Sequence, residues 1–180
     1  MKGRGVRARL RGRVVLILMI FFSVLLSYFE GYGFNREGRE SREGSYYVCF
    51  EGAARFYQVS EWLLWAIAKV ESGFNPYAVN RNRDGSRDLG LMQINTRWVS
   101  ELRRLGFIRD ERDLFDPCVS VWAGAYILRR CMDEYGYSWE AVGCYHSRTK
   151  WRRDWYARKV YREIMRAMEA RERGNSRGLN

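Results

Sequence analysis

The stretch AIAKVESGFNP, residues 66–76, places one carboxyl group on an otherwise apolar helix face. Residues three and four apart share a face of a helix, so Glu71 lies on the same side as Leu63 and Ile67. It falls in the last helical turn, just before Gly73 ends the helix. A carboxyl group in these surroundings loses water, and desolvation raises its pKa. Glu71 is therefore a candidate general acid at neutral pH.

Two later segments carry groups that could bind a ligand beside such an acid. GLMQIN, residues 90–95, follows a glycine-rich turn and offers the amides of Gln93 and Asn95 next to apolar side chains. AVGCYHS, residues 141–147, offers Tyr145, an amphipathic group able to reach a buried carboxyl. Either segment alone is as typical of a protein core as of a binding site.

A second carboxylate would be needed for ordinary glycoside hydrolysis, which uses two such groups at a defined separation. Asp84 and Asp88 lie in the turn between residues 66–76, which carry Glu71, and the GLMQIN segment. Both stand among arginines, which favours solvated turn residues over a catalytic role. The sequence therefore favours chemistry with a single carboxyl group.

Taken in order along the chain, three motifs resemble those of the single-domain lytic transglycosylases of the soluble-lytic-transglycosylase type. The motifs are Glu71-Ser72-Gly73, Gly90-Leu91-Met92-Gln93 and Cys144-Tyr145-His146. The resemblance covers roughly residues 46–149 and implies a lysozyme-like fold. DPCVSVWAGAYIL and WEAVGCYHS also resemble the subgroup that accompanies specialised secretion, pilus and conjugation machines.

This resemblance implies a role for each matching residue. Glu71 would be the sole catalytic acid and base, and Ser72 would lie beside it at the sugar-binding cleft. Met92 and Gln93 would contact the glycan, with the Gln93 amide binding a sugar substituent. Tyr145 would orient Glu71 or hydrogen-bond to it.

Two further candidates for substrate binding complete the site. Asn95 ends the GLMQIN run, and His146 stands where the family usually has asparagine. For His146, a plain substitution in a helix is the alternative interpretation. No metal is expected, because His146 is the sole histidine of the sequence and the cysteine spacings do not fit a zinc site.

The implied reaction cleaves the β-1,4 bond between N-acetylmuramic acid and N-acetylglucosamine in peptidoglycan and closes a 1,6-anhydro ring. It consumes no water and needs no cofactor. The expected partners are glycan strands and the components of a secretion, pilus or conjugation apparatus. Two alternatives stay open: a muramidase that uses water, and a non-enzymatic assembly factor that binds cell-wall glycan.

The N-terminus predicts export. A basic segment leads into an apolar run at residues 14–29, which is typical of a signal peptide cleaved after Gly33 or of an uncleaved anchor in the inner membrane. Either reading places the body of the protein in the periplasm. The net charge of +11 favours an anionic polymer or a membrane surface as partner. Nucleic acid is not expected as a partner, because the predicted export removes the chain from it.

Four cysteines on the exported side predict two disulfides. A helix from Pro117 through Cys131 would hold Cys118 and Cys131 about 20 Å apart, too far for a disulfide. The favoured pairing is Cys49–Cys118 with Cys131–Cys144. The pairing 49–131 with 118–144 remains open.

The predicted fold is mainly α: a lysozyme-like helical domain with at most a short β-hairpin near residues 77–93. The C-terminal helix either packs on the domain or docks a partner. Five segments are expected along the chain: a basic N-terminus with signal peptide or anchor (1–33), a linker (34–45), the lysozyme-like transglycosylase domain (46–150), an amphipathic helix (151–173) and a flexible tail (174–180).

Overall fold

The computed structural model describes residues 44–177. The predicted export segment and nearly all of the predicted linker therefore lie outside the described residues. Within residues 44–177, no helix combines the length and the apolar character that crossing a bilayer requires.

The described part of the chain forms six α-helices and a small three-stranded sheet, which confirms a mainly helical fold. The helices are α1 (Gly44–Tyr57), α2 (Glu61–Ser72), α3 (Val99–Arg104), α4 (Pro117–Tyr135), α5 (Trp139–Cys144) and α6 (Lys150–Arg177). The strands are β1 (Val79–Arg81), β2 (Arg87–Leu89) and β3 (Ile94–Asn95). Short 3-10 turns at Thr96–Trp98 and Glu111–Phe115 precede α3 and α4.

Local signals at the helix ends explain where α2 and α4 begin and end. Gly73 ends α2 with φ 61°, a left-handed conformation that costs glycine nothing, and its N–H donates to Lys69 O. Asp116 accepts a hydrogen bond from the Val119 N–H and is followed by proline at the first position of α4. Ser60 precedes α2 in an extended conformation, and its side chain makes no capping hydrogen bond.

The sheet is antiparallel with β2 in the middle. Strands β1 and β2 form the hairpin expected near residues 77–93, and β3 adds one more strand just beyond it. Asp88 at the centre of β2 stands opposite Asn80 on β1 and opposite Asn95 on β3. Directly paired residues lie on the same face of a sheet, so these three polar side chains form a row.

Helix α6 packs against α2 and α5 and is part of the domain. Tyr156 and Val160, one helical turn apart, are 1% and 0% exposed. Trp155 and Met168, which the sequence places on the same apolar side as Val160, are 44% and 46% exposed. The buried stripe of α6 therefore excludes Trp155 and Met168, and the helix continues to Arg177, into the segment 174–180 for which a flexible tail is predicted.

The two disulfides are Cys49–Cys118 and Cys131–Cys144, which confirms the favoured pairing. The first joins α1 to α4, and the second joins the end of α4 to the end of α5. Together they link three helices, α1, α4 and α5, to one another.

Candidate active site

Glu71 lies in the last turn of α2 and is partly buried. The pKa of its carboxyl is raised to about 7, mainly by loss of water and to a smaller extent by the negative charge of Asp88. A hydroxyl interaction with Tyr156 and the positive charge of Lys159 act in the opposite direction. A carboxyl group with this pKa holds its proton for roughly half the time at neutral pH and can both give and take one.

Tyr156 reaches Glu71 from α6, and sequence reasoning missed it. Its hydroxyl is buried without a well-aligned hydrogen bond to any residue of the described chain. It interacts with the Glu71 carboxyl, and this interaction lowers the Glu71 pKa. Burial raises the pKa of Tyr156 well above its ordinary value, and the charge of Glu71 adds to that effect. A tyrosine on a buried helix stripe needs a partner for its hydroxyl, and that was the available signal.

We expect Tyr156→Phe to move the alkaline limb of the pH–rate profile to higher pH, because the hydroxyl that lowers the Glu71 pKa is gone. The rate below that limb should fall about tenfold, the equivalent of one hydrogen bond to a charged group. Initial rates of peptidoglycan turbidity loss between pH 5 and 9 measure both effects. Tyr161→Phe, at an exposed position on the same helix, is the matched control. A profile identical to wild type would show that Tyr156 only fills space.

The structure gives Tyr145 a different partner from the expected one. Its hydroxyl donates to the Met92 carbonyl oxygen at 2.9 Å instead of to Glu71. Its ring packs nearly parallel to Tyr156, with centroids 6.4 Å apart. Burial raises the pKa of Tyr145 well above its ordinary value, and the charge of Glu71 adds to that effect. Tyr145 thus lies beside the acid while holding the loop that follows β2.

Met92 does not contact solvent, so the expected contact between its side chain and a glycan is wrong. Its side chain is 0% exposed and packs on Gly124 of α4, where a Cβ would come within 2.7 Å of Met92 Cε. Its N–H donates to the Ser120 hydroxyl. The residue fills the core directly beneath the loop.

The side-chain amide of Gln93 donates hydrogen bonds to backbone carbonyl groups. With φ at 49°, this residue turns the chain, and its Nε2 donates to Ala78 O at 3.0 Å and to Gly90 O at 2.9 Å. The amide N–H groups are therefore taken, and the side-chain carbonyl oxygen is what remains to bind a sugar. Gly90 itself is obligatory, because at φ 76° an added Cβ would come within 2.0 Å of Leu114 O.

Ser72, the residue after Glu71, connects the end of α2 to the loop that follows β2. Its hydroxyl donates to Leu91 O at 2.6 Å. This bond fixes the distance between Glu71 and the segment that begins at β2. The role that the structure supports for Ser72 is positioning.

Asn95 is also engaged within the protein, and its expected contact with substrate stays a prediction. Its Nδ2 donates to Asp88 Oδ1 at 2.7 Å and to the Ser86 hydroxyl, and its Oδ1 accepts the Arg97 N–H. An asparagine with all these groups bonded has little left to offer a ligand.

The two aspartates of the hairpin differ, which corrects the prediction that both are solvated turn residues. Asp84 is exposed and pairs with Arg97. Asp88 is partly buried and accepts hydrogen bonds from three asparagine amides, those of Asn80, Asn82 and Asn95. The asparagines opposite Asp88 in the hairpin were the signal that sequence reasoning did not use.

His146 lies exposed at the edge of the site and stacks on Tyr156, with ring centroids 4.9 Å apart and planes 3° from parallel. Desolvation against its neighbours lowers its pKa. Among the sequence-predicted residues, His146 is the one whose side chain remains most available to a sugar ring.

Replacing Glu71 is expected to stabilise the fold in alkaline solution. A carboxyl whose pKa is about 7 when folded and 4.5 ordinarily contributes its full stability below pH 4.5, and that contribution is lost as the pH rises through 7. The difference corresponds to at most about 3 kcal/mol. Glu71→Gln should therefore unfold at higher urea concentration than wild type at pH 8 and at a similar concentration at pH 4. Glu51→Gln, at an exposed site on α1, is the control. Equal midpoints of wild type and Glu71→Gln at pH 8 would contradict a desolvated acid.

Comparison with known proteins places this arrangement in a family. The family model described as Transglycosylase SLT domain matches residues 48–166. Invasion protein IagB of Salmonella typhimurium strain SL1344 is 43% identical over 131 residues, covering 69% of this chain and 81% of the relative. Protein IpgF of Shigella flexneri is 41% identical over 133 residues, covering 72% and 87%.

A solved structure shows the same fold. An inactive mutant of the lytic transglycosylase Slt from Pseudomonas aeruginosa superposes with a TM-score of 0.51 at 21% identity. The match covers 84% of this chain and 25% of that much longer one, so it speaks for the fold alone. With the family model spanning well over half of the residues, the chain belongs to the Transglycosylase SLT domain family and is a lytic transglycosylase with a lysozyme-like fold.

Proposed function

We propose that the protein cleaves the β-1,4 bond between N-acetylmuramic acid and N-acetylglucosamine in peptidoglycan and leaves a 1,6-anhydro end. The observation that carries this proposal is Glu71, a partly exposed carboxyl whose pKa burial raises to about 7. It ends a helix of a domain that belongs to a transglycosylase family.

One carboxyl group can serve both steps of this reaction. Protonated Glu71 gives its proton to the glycosidic oxygen, the bond from that oxygen to C1 breaks, and positive charge develops at C1 and the ring oxygen. The carboxylate of Glu71 then takes the proton of the C6 hydroxyl while that oxygen bonds to C1. The proton returns to Glu71, and water takes no part. A pKa near 7 suits a group that must act in both directions.

Each residue around Glu71 has a distinct proposed role. Tyr156 contacts Glu71, while Ser72 and Tyr145 hold the loop after β2 in place. The free carbonyl oxygen of Gln93 and the exposed ring of His146 are the groups proposed to contact the glycan.

The proposed setting is the periplasm, where the enzyme would open the wall locally for a trans-envelope machine. Support comes from the export pattern of residues 1–33 and from the motifs that resemble the subgroup accompanying secretion, pilus and conjugation machines. The name of the relative Invasion protein IagB is consistent with such a setting.

Digestion of purified sacculi followed by mass spectrometry of the released fragments tests the chemistry. Muropeptides with 1,6-anhydro ends, lighter by one water than their reducing counterparts, are expected. Reducing ends would show that water is the acceptor and would refute ring closure. An absence of released fragments would refute cleavage and favour a glycan-binding assembly factor.

A further inference from the structure

Helix α6 carries a row of accessible side chains beside the buried Tyr156. Arg152, Trp155 and Lys159 are three and four residues apart, so they share one side of the helix. Trp155 is 44% exposed, and the Nζ of Lys159 lies 4.6 Å from the centre of the Trp155 ring. These three residues are called the α6 rim.

The α6 rim adjoins the active site through His146. The His146 ring lies 6.1 Å from the Trp155 ring and stacks on Tyr156, the residue that interacts with the Glu71 carboxyl. Burial raises the pKa of Glu71 and lowers that of His146, and the positive charge of Lys159 acts to lower both. Trp155 and Lys159 therefore border the same site as the acid.

The charge of Lys159 is not neutralised by the acids near it on the helix. Asp154 pairs with Lys150, and Glu163 pairs with Arg166. Within residues 44–177, Lys159 forms no ion pair. An ammonium group in this position can bind a carboxylate from outside the chain, while the exposed aromatic ring beside it stacks on an apolar sugar face.

The two sugars of the proposed substrate differ in charge. N-acetylmuramic acid carries a lactyl ether whose carboxyl group is either free or joined by an amide bond to a stem peptide, which bears carboxylates of its own. N-acetylglucosamine carries no acid. An ammonium group at the edge of a glycan site therefore distinguishes one sugar from the other.

We propose that Trp155 and Lys159 form a subsite that recognises muramic acid, in which the Trp155 ring stacks on a sugar and the Lys159 ammonium binds a carboxylate attached to it. This inference rests on the proposed function of the same site and names the part of the glycan that is recognised there. Neither residue belongs to the three motifs that resemble the family. The carboxylate belongs to the lactyl group or to the stem peptide, and binding to defined probes separates these two sources.

Lys159→Gln tests the charge, with Arg158→Gln as the matched control that removes a charge from the neighbouring exposed position of α6. Each variant is combined with Glu71→Gln, so that glycan is not cleaved and the Glu71 pKa does not enter. Calorimetry measures binding of peptide-free murein tetrasaccharide, of the same glycan with stem peptides, and of neutral chitotetraose. Lys159→Gln should bind at least one carboxylate-bearing probe about tenfold more weakly and chitotetraose equally well. Arg158→Gln and Lys159→Arg should match the parent.

The pattern of loss identifies the source of the carboxylate. A loss confined to peptide-free glycan assigns the lactyl group, a loss confined to peptide-bearing glycan assigns the stem peptide, and a loss with both shows that either is accepted. Folded Lys159→Gln that binds all three probes as its parent does, or that loses chitotetraose to the same extent, would overturn the proposal.

Trp155→Leu tests the stacking, because leucine covers the helix surface but offers no aromatic face. All three probes should bind about fivefold more weakly. Trp139→Leu, at a position that is 45% exposed on α5, is the matched control. Folded Trp155→Leu that binds as tightly as its parent would refute stacking on this ring, and if Trp155→Leu folds poorly, the Lys159 variants decide the proposal.

Failure of this proposal is distinguishable from failure of the proposed function. If wild type yields anhydro fragments and Lys159→Gln binds every probe normally, the subsite alone is refuted. If wild type leaves sacculi intact or yields reducing ends while Lys159→Gln shows the selective loss, the subsite stands and the proposed reaction is refuted. If the Glu71→Gln parent binds none of the probes, the subsite is refuted whatever the products are.

Discussion

Glu71→Gln is expected to abolish cleavage of peptidoglycan, with a loss of about 10³-fold or more in kcat. General acid–base catalysis contributes about 10²–10⁴-fold per proton transfer, and here one group performs both transfers. Glutamine keeps the size and hydrogen-bonding atoms of the side chain but neither gives nor takes a proton at neutral pH. Turbidity loss of purified sacculi and quantification of anhydro fragments measure the effect.

The stability and glycan binding of Glu71→Gln serve as controls for this variant. Because the buried charge is removed, Glu71→Gln should be at least as stable as wild type at pH 8 and should still bind glycan. Loss of activity together with retained binding identifies a chemical defect. Activity within tenfold of wild type in a folded variant would show that the acid is another group.

Loss of the Cys49–Cys118 disulfide is expected to be the largest effect on stability. The crosslink spans 69 residues, and closing a loop of that length stabilises a fold by about 4 kcal/mol through the entropy of the unfolded chain. The 13-residue separation of Cys131 and Cys144 predicts about 3 kcal/mol. The double variant Cys49→Ala with Cys118→Ala should therefore unfold at a lower guanidinium concentration than the double variant Cys131→Ala with Cys144→Ala.

The double variant Cys131→Ala with Cys144→Ala is the matched control, and wild type in reductant gives the combined loss. Cys131 and Cys144 are both buried, so small cavities add to their cost. If the 131–144 pair proves the more important one, native packing rather than loop length governs the stability contributed by these crosslinks.

Several elements were predictable from local signals in the sequence. Helix α2 ends before Gly73 and α4 begins at Pro117 as predicted, because Gly73 and the Asp116-Pro117 pair act on the backbone within one turn. Helix length excluded the pairing of Cys118 with Cys131, which stand on one rigid element, and the structure decided between the two pairings that remained. A carboxyl on an apolar helix face predicted the direction of the Glu71 pKa shift, which the structure reproduces.

The roles of individual side chains in the GLMQIN run were not predictable in this way. Met92 is buried and Asn95 is bonded to Asp88 because the run turns back onto α4 and β2. A sequence shows that an amide is present, but its partners depend on which strand pairs with which. The same pairing separated Asp88 from Asp84, two aspartates four residues apart with opposite surroundings.

The sequence by itself determined the helical class of the domain, indicated Glu71 as the candidate acid and excluded a disulfide between Cys118 and Cys131, since each depends on contacts within a few turns or on the length of one rigid helix. Only the tertiary structure decided what surrounds that acid. Tyr156 arrives from the last helix and Asp88 from the sheet, so their effects on Glu71 depend on long-range packing. The physical reason is that a pKa responds to charge, hydroxyl and solvent in space, whatever the distance along the chain.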